Sequence, residues 1–340
     1  MKRLSALPEE SSPPLAVPTA PGEGLRVGGL RLGLCCQFVD EPIRFRTTTA
    51  AACLKLPPAT RQAKLAELCR ANAESLLAAI ECCSRLGIGA FRVNSQILPV
   101  KTHPELGYQL AALPEGAAII EAFQRCGARA AELGVRTSFH PDQYVVLSSP
   151  RAEVVDRSIE EIEYQSEVAE WIGADTVNIH GGGAYDSRAD ALERFARSLA
   201  RLSPRARARL TVENDDKTYA PSELLPLCRR EGVPLVYDVH HHRCCRDELS
   251  IEEATELAIA TWDREPLFHL SSPKEGWNGP GCQRHHDFID SADVPQCWLG
   301  RSLTIEVEAK AKEQAVLRLR RDLQQLGPPA GETPSGGGMV

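Results

Sequence analysis

Short apolar or β-branched runs that end in polar residues alternate with longer amphipathic stretches along most of the chain. The strand-like runs are RLGLCC (31–36), GAFRVNS (89–95), VRTSFH (135–140), DTVNIH (175–180), RLTVEND (209–215), PLVYDVH (234–240), PLFHLSS (266–272) and SLTIEVEA (302–309). Turn formers such as Gly87, Gly134, Gly173, Gly232 and Pro266 bound them. Helical periodicity fills 61–86, 116–133, 154–171, 187–202, 221–230, 251–262 and 313–326. Ser222 and Glu223 after Pro221 resemble a helix start. The connection 273–301 is long and irregular, with a short helix or none. Parallel strands need such crossovers, so eight β-strands with helices between them predict a (β/α)8 barrel, a TIM barrel, over residues 29–326. An open doubly wound sheet is the alternative. It loses weight because no G-x-G-x-x-G follows an early strand and no phosphate-binding loop motif occurs.

Composition narrows the picture. The 340 residues suit one large barrel with tails or two small domains, and 43% hydrophobic against 25% charged residues is ordinary globular material. Residues 1–28 and 327–340 are rich in Pro, Gly, Ser and Glu and are expected to be disordered tails. No apolar run has the length of a membrane span, and the N-terminus lacks the apolar stretch of a secretory signal. Twelve cysteines fall partly in adjacent pairs (Cys35-Cys36, Cys82-Cys83, Cys244-Cys245), without any CxxC. That pattern fits reduced, mostly buried thiols in a cytoplasmic protein. The net charge of −7 argues against a broadly basic nucleic-acid coat but leaves room for a local basic cleft.

The polar residues are placed informatively. His140, His180, Glu213, Asp238 with His240 and His241, His269 and Glu308 fall at or near the ends of successive strands. In a parallel barrel those ends share one mouth. A lone strand-end histidine is more often a hydrogen-bonded structural residue than a ligand. A set of imidazoles and carboxylates converging without a cation would leave several buried charges unpaired. Donors of this kind, with no thiolate among them, favour Mn, Fe or Zn, and their number calls for two or three divalent ions. Clustered ions suit in-line displacement at phosphorus, so phosphodiester hydrolysis is the leading chemistry.

Read in order, SFHPDQY (138–144), NIHGGG (178–183), TVENDD (211–216), YDVHHH (237–242), FHLSSPK (268–274), HHDF (285–288) and VEAKAK (307–312) resemble the UV-damage endonuclease family. The match runs from about Arg31 to Lys312. Its wider relatives are the endonuclease IV and xylose isomerase-like barrels. The resemblance implies a DNA repair enzyme with a three-metal, manganese-preferring site that hydrolyses the backbone 5′ of a UV photoproduct. On matching positions it implies the metal ligands His103, His140, His180, Glu213, Asp238, His241, His269, His285 and Glu308, with Asp287 a weaker candidate. Glu213, His241 and Lys310 are the expected catalytic residues. Gln143 and Tyr144 are similar to the family's wedge at the damaged bases, and Lys217 and Lys274 are the expected DNA-binding cations.

Three departures stand out. Leu34 replaces a Tyr common in the first strand, Leu267 replaces a Lys two residues before the seventh-strand histidine, and Gln96 replaces an acid. The implied partner is damaged double-stranded DNA, with no membrane, bound by a monomer. The competing functions are an apurinic-site endonuclease or phosphoesterase, a lesion-binding barrel that does not cut, and a sugar isomerase. The histidine surplus disfavours the last.

Overall fold

The computed structural model describes residues 23–325, apart from residue 186. Its strands are β1 (Arg26–Val27), β2 (Leu30–Cys35), β3 (Ala90–Val93), β4 (Arg136–Phe139), β5 (Val177–His180), β6 (Leu210–Glu213), β7 (Leu235–Val236), β8 (Leu267–Leu270) and β9 (Leu303–Val307). They run in the order β7-β6-β5-β4-β3-β2-β9-β8, with parallel pairing throughout that path. A single parallel bridge, Asp238 with His269, joins the two edges, and His269 N donates to Tyr237 O at 3.1 Å. The sheet is thus a nearly closed eight-stranded barrel wrapped by helices, the predicted (β/α)8 architecture.

Strands of such a barrel are covered on both faces, which is why β6 and β9 are buried at every position. The predicted helices recur as Pro58–Leu86, Gly116–Leu133, Ala152–Ile172, Arg188–Leu199, Pro221–Glu231, Ile251–Ile259 and Glu313–Gln325. Gly87 and Gly134 end the first two in the left-handed region, with φ of 72° and 71°, where a side chain would be strained. The segment 273–301 holds only the 3-10 turns Ser291–Asp293 and Gln296–Trp298, as its composition suggested.

Most of the two expected tails lies outside the described residues. Residues 23–27 depart from that expectation. They form a 3-10 turn and β1, which pairs antiparallel with β2, so the ordered barrel begins before residue 29. A second correction concerns 234–240. The strand stops at Val236, and Asp238 caps a helix, Val239–Cys244, by accepting from His241 N at 2.8 Å. An aspartate that satisfies a free N–H at a helix start outweighs the β-branched residues around it. All twelve cysteines are free, and seven of them are buried. Among the described residues no helix is long and apolar enough to cross a membrane.

Candidate active site

The barrel delivers its polar residues to one mouth. His180 and Glu213 end neighbouring strands in register. His140 follows β4, Asp238 lies two residues past β7, and Glu308 immediately follows β9. A cavity of about 400 Å3 opens there, lined by Arg92, His140, His180, Glu213, His241, His285 and Glu308 among others, with Asp238 buried behind the lining. A neighbouring cavity of about 470 Å3, walled by Arg243, Arg246 and Trp277, contains none of the candidate ligands, so the chemistry belongs to the smaller one.

Three groups bring their ligand atoms within 4.8 Å of one another: His140, His180 and Glu213; Glu213, Asp238 and His241; Asp238, His269 and Glu308. Glu213 is shared by the first two groups and Asp238 by the last two. Glu213 Oε1 lies 3.1 Å from His269 Nδ1 and 3.2 Å from His241 Nδ1. Even so, Glu213 Oε1, Asp238 Oδ2, His269 Nδ1 and His180 Nδ1 are all buried without an aligned hydrogen bond. Polar atoms packed this closely without bonding partners are what a divalent cation between them would satisfy once the imidazoles give up their protons. The residues present therefore fit a divalent metal centre.

Outer contacts hold the candidate ligands in place. A carbonyl can only accept, so His140 donates from Nδ1 to Pro141 O at 3.0 Å and turns Nε2 toward Glu213 Oε2 at 2.9 Å. Asn178 Nδ2 donates to Glu213 Oε2 at 2.6 Å, and Thr211 in turn orients Asn178. The Asn214 amide bonds both backbone groups of Asp238, extending the β6–β7 ladder by a side chain. His242 and His240 play other parts. His242 is held between Tyr237 and Asp247, and His240 donates to Ser271 O.

Charge inside the mouth is strongly coupled. Burial opposes ionisation of Glu213, but His269, His180, His140 and His241 overturn it and keep the carboxyl well below the usual range. Burial likewise opposes charge on His269, and the Glu213 carboxylate overrides it, holding the imidazole up at about 10. His241 is also raised, by Asp238 and Glu213 against its burial. In the metal-free protein these imidazolium groups take the place of cations. A group raised from an ordinary value near 6.5 to about 10 on folding stabilises the fold fully below the lower value. That contribution is lost as pH rises through the upper one. Chelator-treated protein is therefore expected to lose thermal stability between roughly pH 6.5 and pH 10, and divalent metal should bind more tightly over the same rise as protons leave. Calorimetry across that range, with and without metal, checks both slopes; a flat metal-free profile contradicts the charge arrangement.

Other predicted residues lie farther out. His285 lines the cavity, with Nδ1 3.6 Å from Glu308 Oε2. His103 does not line it; its Nδ1 accepts from Glu105 N at 3.2 Å within its own turn. Asp287 and Lys310 are exposed and outside the lining. Lys217 and Lys274 are exposed on loops after β6 and β8. Gln143 lines the cavity, and beside it Tyr144 is 64% exposed, an uncommon position for so large a ring. Leu34 is fully buried and offers nothing to solvent. Gln96 is exposed, and Leu267 is buried in β8 two residues before His269. The buried cation beside His269 is Arg92, from β3.

The sequence reading missed Arg92, Asn178, Asn214 and Glu306. A charged residue inside an apolar strand, as in AFRV and LTIEV, was the available signal for Arg92 and Glu306.

Imidazole and carboxylate groups gathered at the mouth of an eight-stranded parallel barrel define the class of TIM barrels fitted for divalent metal, and comparisons with known proteins narrow it. The UV-endonuclease UvdE family matches residues 30–329. The UV DNA damage endonuclease of Bacillus velezensis is 31% identical over 294 residues, covering 83% of this chain and 89% of the relative. That of Deinococcus radiodurans is 34% identical over 306 residues, covering 85% and 94%. The crystal structure of SacUVDE superposes with a TM-score of 0.76 at 26% identity, covering 87% of this chain and 99% of that one. Endonuclease IV from Thermus thermophilus shares the fold at a TM-score of 0.52 and 19% identity, covering 74% and 94%. The chain belongs to the UV-endonuclease UvdE family of DNA repair endonucleases.

Proposed function

We propose that the protein hydrolyses the DNA backbone 5′ of UV photoproducts, using two or three divalent cations, preferably manganese, held at the barrel mouth. One observation carries this reading: buried polar atoms of Glu213, Asp238, His180 and His269 converge without hydrogen-bond partners. The cavity lining also holds Asp142, Glu213, Asp216 and Glu308 against Arg92 and the charged ring of His241, so acids outnumber cations where a phosphodiester must sit and added divalent ions would offset them.

In this reading His140 and His180 with Glu213, His241 with Glu213 and Asp238, and His269 with Asp238 and Glu308 hold the metal, with His285 at the edge. When bound, the ions supply Lewis acidity to an in-line displacement at phosphorus. Glu213 and Asp238 each join two groups and so set the spacing between sites. Gln143 at the cavity lip and the outward ring of Tyr144 meet the lesion, where an aromatic face replaces lost base stacking. One chain suffices, because all these side chains come from one barrel.

Lys217 and Lys274, exposed on the loops after β6 and β8, contact phosphates of the bound duplex. Binding of a photoproduct duplex is expected to weaken linearly on a log–log plot against salt, with a slope of about −0.9 per phosphate contacted. Removing either lysine should flatten the slope by about one phosphate equivalent, measured by fluorescence anisotropy. An unchanged slope removes that lysine from the interface.

The deciding experiment uses an end-labelled duplex with a single photoproduct, incubated with chelated protein and with protein reloaded with manganese. Incision 5′ of the lesion only after reloading is expected. Incision of an abasic duplex alone selects the apurinic-site reading, and binding without incision selects the non-cutting one.

A further inference from the structure

The ring of His269 is fully buried, and its two nitrogens face different surroundings. Nδ1 points into the mouth, 3.1 Å from Glu213 Oε1 and 3.5 Å from Glu308 Oε1, with no aligned bond. Nε2 points the other way, 3.1 Å from Glu306 Oε2 and 3.1 Å from Arg92 Nη2. A neutral imidazole carries its proton on one nitrogen only. If Nδ1 is to offer a lone pair to a cation, the proton must sit on Nε2, and something there must accept it. Arg92 can only donate, so its 3.1 Å bond to Nε2 belongs to the tautomer with the lone pair there and is given up when Nε2 carries the proton. Of these two neighbours of Nε2, the Glu306 carboxylate is the one that can take that hydrogen bond.

Glu306 is built for this task and not for ligation. It lies directly beside His269 in the β8–β9 register and two residues before Glu308, hence on the same face and one step deeper in the barrel. It is 2% exposed. Ser138 occupies its Oε1, while Arg92 Nε donates to its Oε2 at 2.5 Å. Arg92 also reaches Glu308 Oε1 at 2.6 Å, so one guanidinium ties the deeper carboxylate to the shallower one.

We propose that Glu306, braced by Arg92 and Ser138, is a positioning residue that fixes the His269 tautomer and thereby sets metal affinity at the group formed by Asp238, His269 and Glu308. This rests on the metal-centre part of the function proposed above. The competing view is a buried ion pair that only holds strands together. The two differ in what they predict for metal binding by a folded variant.

The test has two arms. In the first, Glu306→Gln keeps the side-chain shape but offers a donor as readily as an acceptor. Manganese binding, measured by equilibrium dialysis with elemental analysis, is expected to weaken roughly 10–100-fold, the usual cost of losing an outer-shell partner. DNA KM should stay near wild type once metal is saturating, while Glu306→Asp should recover part of the affinity. A folded Glu306→Gln with wild-type manganese affinity overturns the proposal. The second arm needs no variant. Nitrogen-15 NMR of histidine-labelled wild-type protein loaded with zinc is expected to show His269 protonated at Nε2 and coordinated through Nδ1; the opposite tautomer overturns the proposal even if the variant fails to fold. Wild-type protein that loads metal but leaves irradiated DNA intact defeats the nuclease reading alone. Protein that takes up neither ion defeats both.

Discussion

Glu213→Gln, assayed on irradiated plasmid with saturating manganese, is expected to nick about a thousandfold more slowly than wild type, on the scale seen when electrostatic stabilisation is removed from a reacting centre. The basis is the number of partners this one carboxylate serves. It is 1% exposed, its Oε2 takes a bond from Asn178 and lies 2.9 Å from His140 Nε2, and its Oε1 faces His241 and His269. It also belongs to two of the three ligand groups. Glutamine keeps the volume and the bond from Asn178 but turns one oxygen into an NH2 group that cannot ligate. Two groups should therefore weaken together, and elemental analysis should show a shortfall of more than one ion. Near-normal nicking with a full metal complement would remove Glu213 from the centre of the mechanism.

Tyr144→Ala should behave in the opposite manner. The ring is 64% exposed, so its removal leaves no core cavity and the thermal midpoint should hardly move. Affinity for a photoproduct duplex should fall by about 1–3 kcal/mol, roughly 5–150-fold, the value of one aromatic–base stack. Affinity for an undamaged duplex should change far less, since no base is available there to stack. Competition binding with matched damaged and undamaged duplexes separates the two effects. Equal losses on both would make Tyr144 a general contact, and no loss would leave it a solvent-facing loop residue. Gln143→Ala should add a smaller loss in the same direction, because its amide lines the cavity and can bond an exposed base edge.

The barrel and most of its mouth were legible because apolar runs ending in histidine or acid show both strand direction and strand end. His140, His180 and Glu213 lie where that pattern placed them. The stretch 237–242 was harder. Tyr237, Val239 and the run of histidines carry an alternating, β-like signal, and only the contact from Asp238 to His241 N reveals a helix start. Arg92 and Glu306 carried a signal but no placement. A charge within an apolar run does not show which face it occupies, and their meeting depends on β3 and β9 both flanking β2. His103 was a candidate through motif likeness alone, and it bonds within its own turn.

The seam of the barrel falls at its reactive end. Where β7 should run beside β8, the ladder is reduced to Asp238 and His269, two side chains that also belong to the candidate metal groups. A divalent ion gripped by both would act as a rivet across a joint that backbone pairing leaves weak. Loss of the ion would then remove catalysis and loosen this joint together, so chelated protein should be cut by protease near Tyr237 and Asp238 sooner than metal-loaded protein.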